Sequence, residues 1–305
     1  NVPPTKMKKR PFVSIVICTQ NRAEALKKYA LNSILKLDYP NYEVVIVDDA
    51  SKDKTQEILK EFKDKTKNLT IVKNNKARGL CYVRNLGVKY SKGEIIAFTD
   101  DDCIADKYWL EELIKPYLKD KKVMVVGGKT YIGNSNKIFN PNKNIFGCNM
   151  SFRKEIFNNF SFDINIYFSK CSSREETELI YRIKNKNLKI IYADKAIVKH
   201  FLQPAKYRKN IKIGSPLNKI YMYAKKTSLI KYYFLFFITL FGKQNKFTIL
   251  TEEEEIVNGF DTLIGIVSPK QKGFYKLPWI LYILLLKIPI KAKIKNYLEE
   301  RKLNS

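Results

Sequence analysis

Short runs of β-branched and aliphatic residues alternate with helical patterns over residues 11–130, and this alternation constrains the fold more than any other feature of the chain. The intervening segments carry apolar residues at spacings of three and four, as amphipathic helices do. Such an alternation is typical of an α/β fold with a mostly parallel, Rossmann-like sheet flanked by helices. Strands are predicted at 12–18, 43–47, 69–72, 94–99, 189–192 and 196–200, and a further helix at 175–186.

Polar side chains follow three of the predicted strands where each strand ends. In open α/β sheets, ligands bind beyond the carboxyl ends of the strands, so these side chains should converge on one crevice. They include Thr19, Asn21 and Arg22 after the first strand, Asp48 and Asp49 after the second, and Asp100, Asp101 and Asp102 after the fourth. Asp48 and Asp49 suit hydrogen bonds to a base or ribose, and a helix-capping loop is the alternative.

The run Asp100, Asp101, Asp102 points to a bound cation. Unit charges ~4 Å apart repel by about 4 kcal/mol at an effective dielectric of ~20. Successive strand residues face opposite sides, so Asp100 and Asp102 share one side, and their hard oxygen atoms suit Mg²⁺ or Mn²⁺. A solvated acidic loop, with Asp106 as the N-cap of the next helix, is the alternative.

Four further residues suit chemistry in the same crevice. Arg84 offers a bidentate guanidinium to a phosphate. Glu175 and Glu176 open a predicted helix, whose N-terminus favours ionised carboxylates, so either suits a general base or simply stabilises the helix dipole. His200, the only histidine, ends a predicted strand and is either a metal ligand or a structural residue.

Composition and missing motifs exclude several function classes. The chain lacks the glycine-rich signature of dinucleotide sites and that of P-loop ATPases. A formal charge of +27 calls for an anionic partner. Because no signature of sequence-specific nucleic-acid binding is present, phosphorylated substrates and anionic lipid are favoured. Five scattered cysteines and a polar N-terminus without an apolar core favour a reducing, cytoplasmic location.

The composition divides the chain into three parts. Residues 1–10 form a basic segment, and 11–205 a globular domain with a nucleotide-binding half (11–102) and an acceptor and catalytic half (103–205). Residues 206–305 are predicted to be mainly helical, basic and apolar. The apolar runs 232–241 and 277–290 are shorter than the ~20 residues that span a bilayer. They favour peripheral contact with the cytosolic membrane face, a packed helical domain, or a homo-oligomer interface.

An ordered set of segments over residues 11–201 resembles glycosyltransferase family 2, whose members have the GT-A fold. The set comprises the turn T-Q-N-R at 19–22, V-D-D-A-S-K-D-K-T at 47–55, G-L-C-Y-V-R-N-L-G at 79–87, D-D-D at 100–102, N-M-S-F-R at 149–153, F-D at 162–163 and R-E-E-T-E-L-I-Y-R-I at 174–183.

The resemblance implies a role for each matching residue. Glu176 falls on the position of the catalytic base, with Glu for the usual Asp, and Glu175 is kept as an alternative. Asp102 falls on the metal ligand, supported by Asp100 and His200. Nucleotide contacts are implied for Thr19, Asn21, Arg22, Asp48, Asp49, Arg84, Asp100 and Asp101, and sugar or acceptor contacts for Asn149, Met150, Arg153 and Arg182.

The expected activity is an inverting, metal-dependent hexosyl transfer. A nucleotide-diphosphate donor, with UDP favoured, would pass its sugar to a hydroxyl of a glycan or lipid-linked acceptor. A sugar nucleotidyltransferase of related fold is the second hypothesis, but the turn at 19–22 lacks the glycine-rich phosphate loop that it needs. A non-catalytic module that binds polyanions or membranes is the third.

Overall fold

The structure, a computed structural model, describes residues 10–66, 68–139, 143–166 and 174–201, together with Asn218, Tyr221 and Met222. The chain forms two compact units, one of residues 1–163 and 175–204, the other of 164–174 and 205–305. The apolar runs at 232–241 and 277–290 lie outside the described residues. No helix among the described residues is long and apolar enough to cross a bilayer. The roles predicted for the three parts of the chain stay predictions.

The first unit is built on one eight-stranded sheet in the order β3-β2-β1-β4-β7-β6-β8-β5. Pairing is parallel except where β7 joins β4 and β6 and where β5 joins β8. The mixed α/β class predicted from the sequence is confirmed. The strands are β1 Val13–Thr19, β2 Tyr42–Asp48, β3 Leu69–Lys73, β4 Ile95–Asp100, β5 Cys103–Ala105, β6 Val123–Ile132, β7 Met150–Arg153 and β8 Lys189–His200.

Helices connect the strands at the predicted places. They are α1 Ala23–Ala25, a π-helical stretch Leu26–Leu31, α2 Asn32–Ile34, α3 Thr55–Lys63, α4 Leu80–Tyr90, α5 Trp109–Lys119, a 3-10 helix Lys154–Asn158 and α6 Glu175–Asn185. The π-helical stretch was not predicted. Just before α3, the side chain of Asp53 accepts the backbone N–H of Thr55, the first residue of the helix, at 3.1 Å.

The central strands are buried on both faces, which explains their continuous apolar sequence. All residues of β1 except Cys18 are buried, and six of the seven residues of β2 are buried. Helix α4 packs on β1 through Gly87, where an added Cβ would lie 2.4 Å from Val16 Cγ1. A glycine is therefore needed there for the close approach of helix and strand.

The second half of the sheet differs from the sequence-based expectation. The sequence predicted no strand between 99 and 189, yet β6 and β7 lie there, and β7 runs antiparallel to β4. The two strands predicted at 189–192 and 196–200 form one strand, β8. Its pairing with β6 shifts register between Gly128 and Lys129, which explains why the apolar pattern looked interrupted.

The acidic run joins an interior strand to an edge strand. Asp100 ends β4, which lies inside the sheet, and Cys103 begins β5, which lies at its edge. β5 pairs with the end of β8, so that Cys103 stands opposite His200. Through this path the carboxyl end of β4 meets the carboxyl end of β8.

Candidate active site

Asp101 is buried and is bound by the last residue of β1 and by the turn that follows it. Its carboxylate accepts a hydrogen bond from Thr19 Oγ1 at 2.8 Å and pairs with Arg22 Nη1 at 3.0 Å. The side chain of Asp101 is only 3% exposed, whereas that of Arg22 is 27% exposed. Asp101 therefore connects β4 to the turn predicted to line the nucleotide pocket.

Asp102 lies at the centre of a cluster of metal-ligand side chains. Its Oδ2 lies 2.5 Å from Arg22 Nη2, and its Oδ1 lies 3.2 Å from His200 Nε2. Candidate ligand atoms of Asp100, Asp102, Cys103 and His200 all lie within 4.8 Å of one another. Two carboxylates and an imidazole suit Mn²⁺ or Mg²⁺, and the sulfur of Cys103 is a softer neighbour.

The structure thus brings together Asp100, Asp102 and His200, the three metal ligands predicted from the sequence. Sequence reasoning missed Cys103. Its signal was its place directly after Asp102, but only the pairing of β5 with β8 shows that it faces His200. That these residues hold a metal, and which metal it is, stays a prediction.

Burial and ion pairing shift the pKa values of Asp101, Asp102 and His200 in different directions. Burial raises the pKa of Asp101, although Arg22 acts in the opposite direction. Burial also works against ionisation of Asp102, but the hydrogen bond from His200 and the charge of Arg22 together lower its pKa. For His200, burial disfavours the charged form, yet the hydrogen bond to Asp102 raises its pKa to about 9. The contact with Asp102 therefore favours the protonated form of the His200 imidazole.

Arg84 is buried and paired with two carboxylates, and its predicted contact with the nucleotide stays a prediction. Its side chain is 2% exposed, and its guanidinium lies between Asp100 and Glu175. Nη2 is 3.0 Å from Asp100 Oδ1, and Nη1 contacts Glu175 Oε1. A buried guanidinium must be paired with carboxylates, and the sequence alone did not show which carboxylates these were.

The two glutamates that open α6 have different surroundings. Burial, and then the neighbouring charge of Glu176, raise the pKa of Glu175, although Arg84 opposes this shift. Glu176 is 7% exposed, and its Oε1 accepts a hydrogen bond from Thr177 Oγ1 at 3.2 Å. Glu175 is thus bound to Arg84, and the role of either glutamate as a general base stays a prediction.

Asp48 and Asp49 hold the loops that wall the crevice. Asp48 Oδ1 accepts the backbone N–H of Ser51 at 2.9 Å. Asp49 Oδ2 accepts the N–H groups of Arg78 at 3.0 Å and Gly79 at 2.8 Å, just before α4. Both aspartates are buried. The capping-loop alternative therefore describes these contacts, and nucleotide binding by the two side chains stays a prediction.

The turn after β1 is connected to the turn after β2. Asn21, with a φ of 53°, accepts the backbone N–H of Lys52 on its Oδ1 at 2.7 Å and donates its own N–H to Ser51 Oγ at 2.8 Å. Both side chains, Asn21 and Lys52, are exposed. Two hydrogen-bonded polar turns, one after β1 and one after β2, therefore form this edge of the crevice.

Two of the residues expected to contact the sugar or acceptor are enclosed in the core. Asn149 is 0% exposed, donates to the carbonyls of Lys129 and Ala196, and accepts from Trp109 Nε1 at 2.9 Å. Met150 is also 0% exposed. The side chain of Asn149 thus links β6, β8 and helix α5, and the predicted contacts of both residues with sugar or acceptor stay predictions.

Arg153 and Arg182 are bound by other parts of the protein, and their predicted contacts with sugar or acceptor stay predictions. Arg153 stands opposite Ile95 at the start of β4, roughly 16 Å along the strand from Asp100. It lies there because β7 runs antiparallel and leaves the crevice. Arg182 pairs with Glu178 at 2.8 Å and donates to the carbonyl of Ser161 at 2.6 Å, so it fastens α6 to the preceding segment.

Comparison with known proteins identifies similar glycosyltransferases. Residues 14–176 match the family model described as glycosyl transferase family 2. Glycosyltransferase AglE of Haloferax volcanii is 38% identical over 120 residues, 39% of this chain and 39% of that protein. The UDP-Glc:alpha-D-GlcNAc-diphosphoundecaprenol beta-1,3-glucosyltransferase WfgD of Escherichia coli is 34% identical over 124 residues, 41% of this chain and 48% of that protein. The matched part spans less than half the length of either relative.

A solved structure shows the same fold. The mannosyltransferase PcManGT from Pyrobaculum calidifontis, in complex with GDP-Man and Mn²⁺, superposes with a TM-score of 0.60 at 17% identity, over 95% of this chain and 88% of that one. The expected GT-A architecture is thereby confirmed. With the family match covering more than half of its length, the chain belongs to glycosyltransferase family 2.

Proposed function

We propose that this protein is an inverting glycosyltransferase. It moves a sugar, of hexose type, from a nucleotide-diphosphate donor, with UDP favoured, to a hydroxyl of a glycan or lipid-linked acceptor. The observation that carries the proposal is the cluster of Asp100, Asp102 and His200 at the carboxyl end of β4, with ligand atoms within 4.8 Å. Ligands bind at this edge of α/β sheets.

On the donor side, the protein supplies carboxylates, an imidazole and arginine. Asp100 is the most open of the three aspartates, with a side chain 29% exposed, and it would face the diphosphate. Mn²⁺ or Mg²⁺, held by Asp100, Asp102 and His200, would neutralise the charge that develops on the leaving diphosphate. Arg22, already paired with Asp101 and Asp102, keeps this acidic centre together before the donor arrives.

On the acceptor side, Glu176 is the proposed general base. Its carboxylate takes the proton of the acceptor hydroxyl while that oxygen bonds to the anomeric carbon from the face opposite the nucleotide. The bond from the anomeric carbon to the diphosphate oxygen breaks, and the nucleoside diphosphate leaves. The new linkage therefore has the inverted configuration.

Donor and acceptor classes follow from charge and from relatives. A chain with a formal charge of +27 suits a phosphorylated donor and an anionic, lipid-linked acceptor. WfgD is named for UDP-Glc and a diphosphoundecaprenol-linked sugar, whereas PcManGT was solved with GDP-Man. These names support a nucleotide-sugar donor, and the donor screen described below compares UDP-sugars with GDP-sugars.

The location and assembly of the protein are further proposals. A cytoplasmic protein that touches the inner membrane face through residues 206–305 would meet a lipid-linked acceptor directly. Co-sedimentation with anionic vesicles at low and high salt, with and without residues 215–305, tests this contact. The alternative role of that segment is a homo-oligomer interface, which would appear as a loss of assembly in the truncated chain.

A donor screen tests the proposed function. Purified protein with Mn²⁺ or Mg²⁺ is incubated with UDP- and GDP-sugars, and release of nucleoside diphosphate is measured with and without glycan acceptors. We expect hydrolysis of at least one donor, and its loss in Glu176→Gln. Glu155→Gln, which changes an exposed glutamate after β7, is the matched control and should keep full activity.

Three results would argue against this function. One is the absence of hydrolysis and transfer with every donor. Another is a product with the donor's own anomeric configuration in the NMR spectrum. The third is formation of a nucleotide-sugar from a sugar 1-phosphate and a nucleoside triphosphate, which would favour the nucleotidyltransferase hypothesis.

A further inference from the structure

Arg84 occupies an unusual place for an arginine on a helix, because it points into the protein rather than to solvent. Its side chain is 2% exposed, and its two terminal nitrogens contact Asp100 Oδ1 and Glu175 Oε1. Asp100 ends β4, and Glu175 begins α6, the helix that also carries Glu176. One buried cation therefore joins the donor side of the crevice to the acceptor side.

The surroundings of Arg84 hold it in one position. The rings of Phe98 and Phe162 lie 6.0 and 5.6 Å from the guanidinium carbon. The backbone of Gly147 passes so close that an added Cβ would lie 2.5 Å from Nη2. Asn85 holds Phe162 in place, because its side chain donates to the carbonyl and accepts the N–H of Phe162, both at 2.9 Å.

An arginine fits this place better than a lysine. Its planar fork directs two nitrogens to two different carboxylates, whereas the ammonium of a lysine is a single point charge on a flexible stem. Without the guanidinium, the carboxylates of Asp100 and Glu175 would face each other with no cation between them. The consecutive residues Arg84 and Asn85 thus act together. Arg84 lies between the two carboxylates, and Asn85 holds the backbone of Phe162, whose ring lies beside the guanidinium.

We propose that Arg84 is a positioning residue that fixes the start of α6, and with it Glu176, relative to Asp100. In this role Glu175 anchors the helix to Arg84, and Glu176 faces the acceptor. The inference rests on the proposed function for its catalytic part. Its structural part, the dependence of the first turn of α6 on Arg84, holds for the protein whatever its substrate.

Hydrogen exchange tests the structural part without any activity. We expect faster exchange at the first-turn amides of α6 in Arg84→Lys and in Glu175→Gln, with α5 unchanged. Glu175→Gln keeps the shape of the side chain and serves if the arginine variant does not fold. Arg10→Lys is the matched control, since Arg10 forms an exposed pair with Glu111 at 3.5 Å. Unchanged exchange in α6 in both variants would overturn the inference.

Kinetics test the catalytic part. A misplacement of about 1 Å can cost about 10²-fold in rate, so we expect Arg84→Lys to lower kcat by about that factor while the donor KM stays nearly unchanged. The double variant Arg84→Lys/Glu175→Gln should lose less than the sum of the two single effects in free energy, because the two residues share one contact. A higher donor KM with unchanged kcat, or fully additive losses, would overturn the positioning role.

The two failures are distinguishable. If the wild-type protein uses no donor, the proposed function fails, and the exchange experiment still decides whether Arg84 anchors α6. If the wild type is active and Arg84→Lys keeps its kcat and its exchange pattern, the inference fails and the proposed function stands.

Discussion

Arg22 and Asp102 form a close ion pair, with Nη2 of the arginine 2.5 Å from Oδ2 of the aspartate. The other oxygen of the carboxylate, Oδ1, is left to His200. Asp102 thus divides its two oxygens between a permanent cation and a titratable one. The arrangement means that part of the negative charge of the acidic run is already balanced without a metal ion.

This pair leads to a prediction about metal binding. Replacing Arg22 with Gln removes a positive charge beside the candidate ligands, so Mn²⁺ should raise the melting temperature of the variant more than that of the wild type. The measurement is thermal unfolding with and without Mn²⁺. Arg78→Gln, at an exposed arginine stacked on Tyr82, is the control and should behave as the wild type does. An equal or smaller Mn²⁺ effect in Arg22→Gln would contradict the prediction.

The aspartates of the run should differ in their effect on metal affinity. Asp102→Asn should weaken Mn²⁺ binding by more than the roughly 10–100-fold typical for loss of an outer-shell partner, because Asp102 is the proposed direct ligand. Asp101→Asn should weaken it less, since Asp101 contacts Thr19 and Arg22 instead. Electron paramagnetic resonance of free Mn²⁺ measures both affinities. Equal losses in the two variants would argue against the proposed ligand set.

Asp53 should contribute a pH-dependent share of stability. Partial burial works against its ionisation, but hydrogen bonds from Thr55 and from the backbone N–H of Ala23 together lower its pKa. Because the pKa is lower in the folded state, the contribution is present above the unfolded value of about 3.9 and is lost as the pH falls through the folded value.

We therefore expect Asp53→Ala to lower the free energy of unfolding at pH 6 by about 0.5–1 kcal/mol, the lower part of the range for caps because solvent reaches the side chain. The difference from the wild type should shrink below about pH 4. Urea unfolding at both pH values measures it, with Asp64→Ala as an exposed control at the other end of α3. If the loss in free energy of unfolding caused by Asp53→Ala instead grew as the pH fell, the prediction would be wrong.

The contact between Gly87 and Val16 should be sensitive to a single methyl group. A Cβ at position 87 would lie 2.4 Å from Val16 Cγ1, so Gly87→Ala should lower the free energy of unfolding by about 1–3 kcal/mol. In the double variant Gly87→Ala/Val16→Ala the smaller strand residue makes room, and the combined loss should be less than the sum of the two single losses. Additive losses in chemical denaturation would contradict this packing.

The parallel half of the sheet was predictable because its signals are local. Each of the first four strands is a short apolar run, and the helices between them show a clear period in their apolar residues. The places of Asp100 and Asp102 at the end of β4 follow from that order alone. His200 joined them because it also ends a strand, although only the pairing of β5 with β8 explains how.

The partners of buried polar residues were not predictable in the same way. Repulsion within the acidic run predicted a bound metal cation, which stays a prediction, and the structure adds two arginines there, Arg22 and Arg84, that the sequence did not place. Arg84 and Asn149 belong to segments that match the family, yet a matched segment does not tell whether a side chain faces a ligand or the core. The antiparallel direction of β7, which takes Arg153 away from the crevice, depends on long-range pairing that a local pattern does not contain.

The short connection from β4 to β5 limits how the length of this chain can change in evolution or design. Residues 101 and 102 are the whole link between a strand inside the sheet and a strand at its edge. One inserted residue would shift β5 by one place, and since strand side chains alternate between faces, the sulfur of Cys103 would turn away from His200. Length variation is therefore expected to collect elsewhere, and a library of insertions across the chain should be depleted of viable clones at this link.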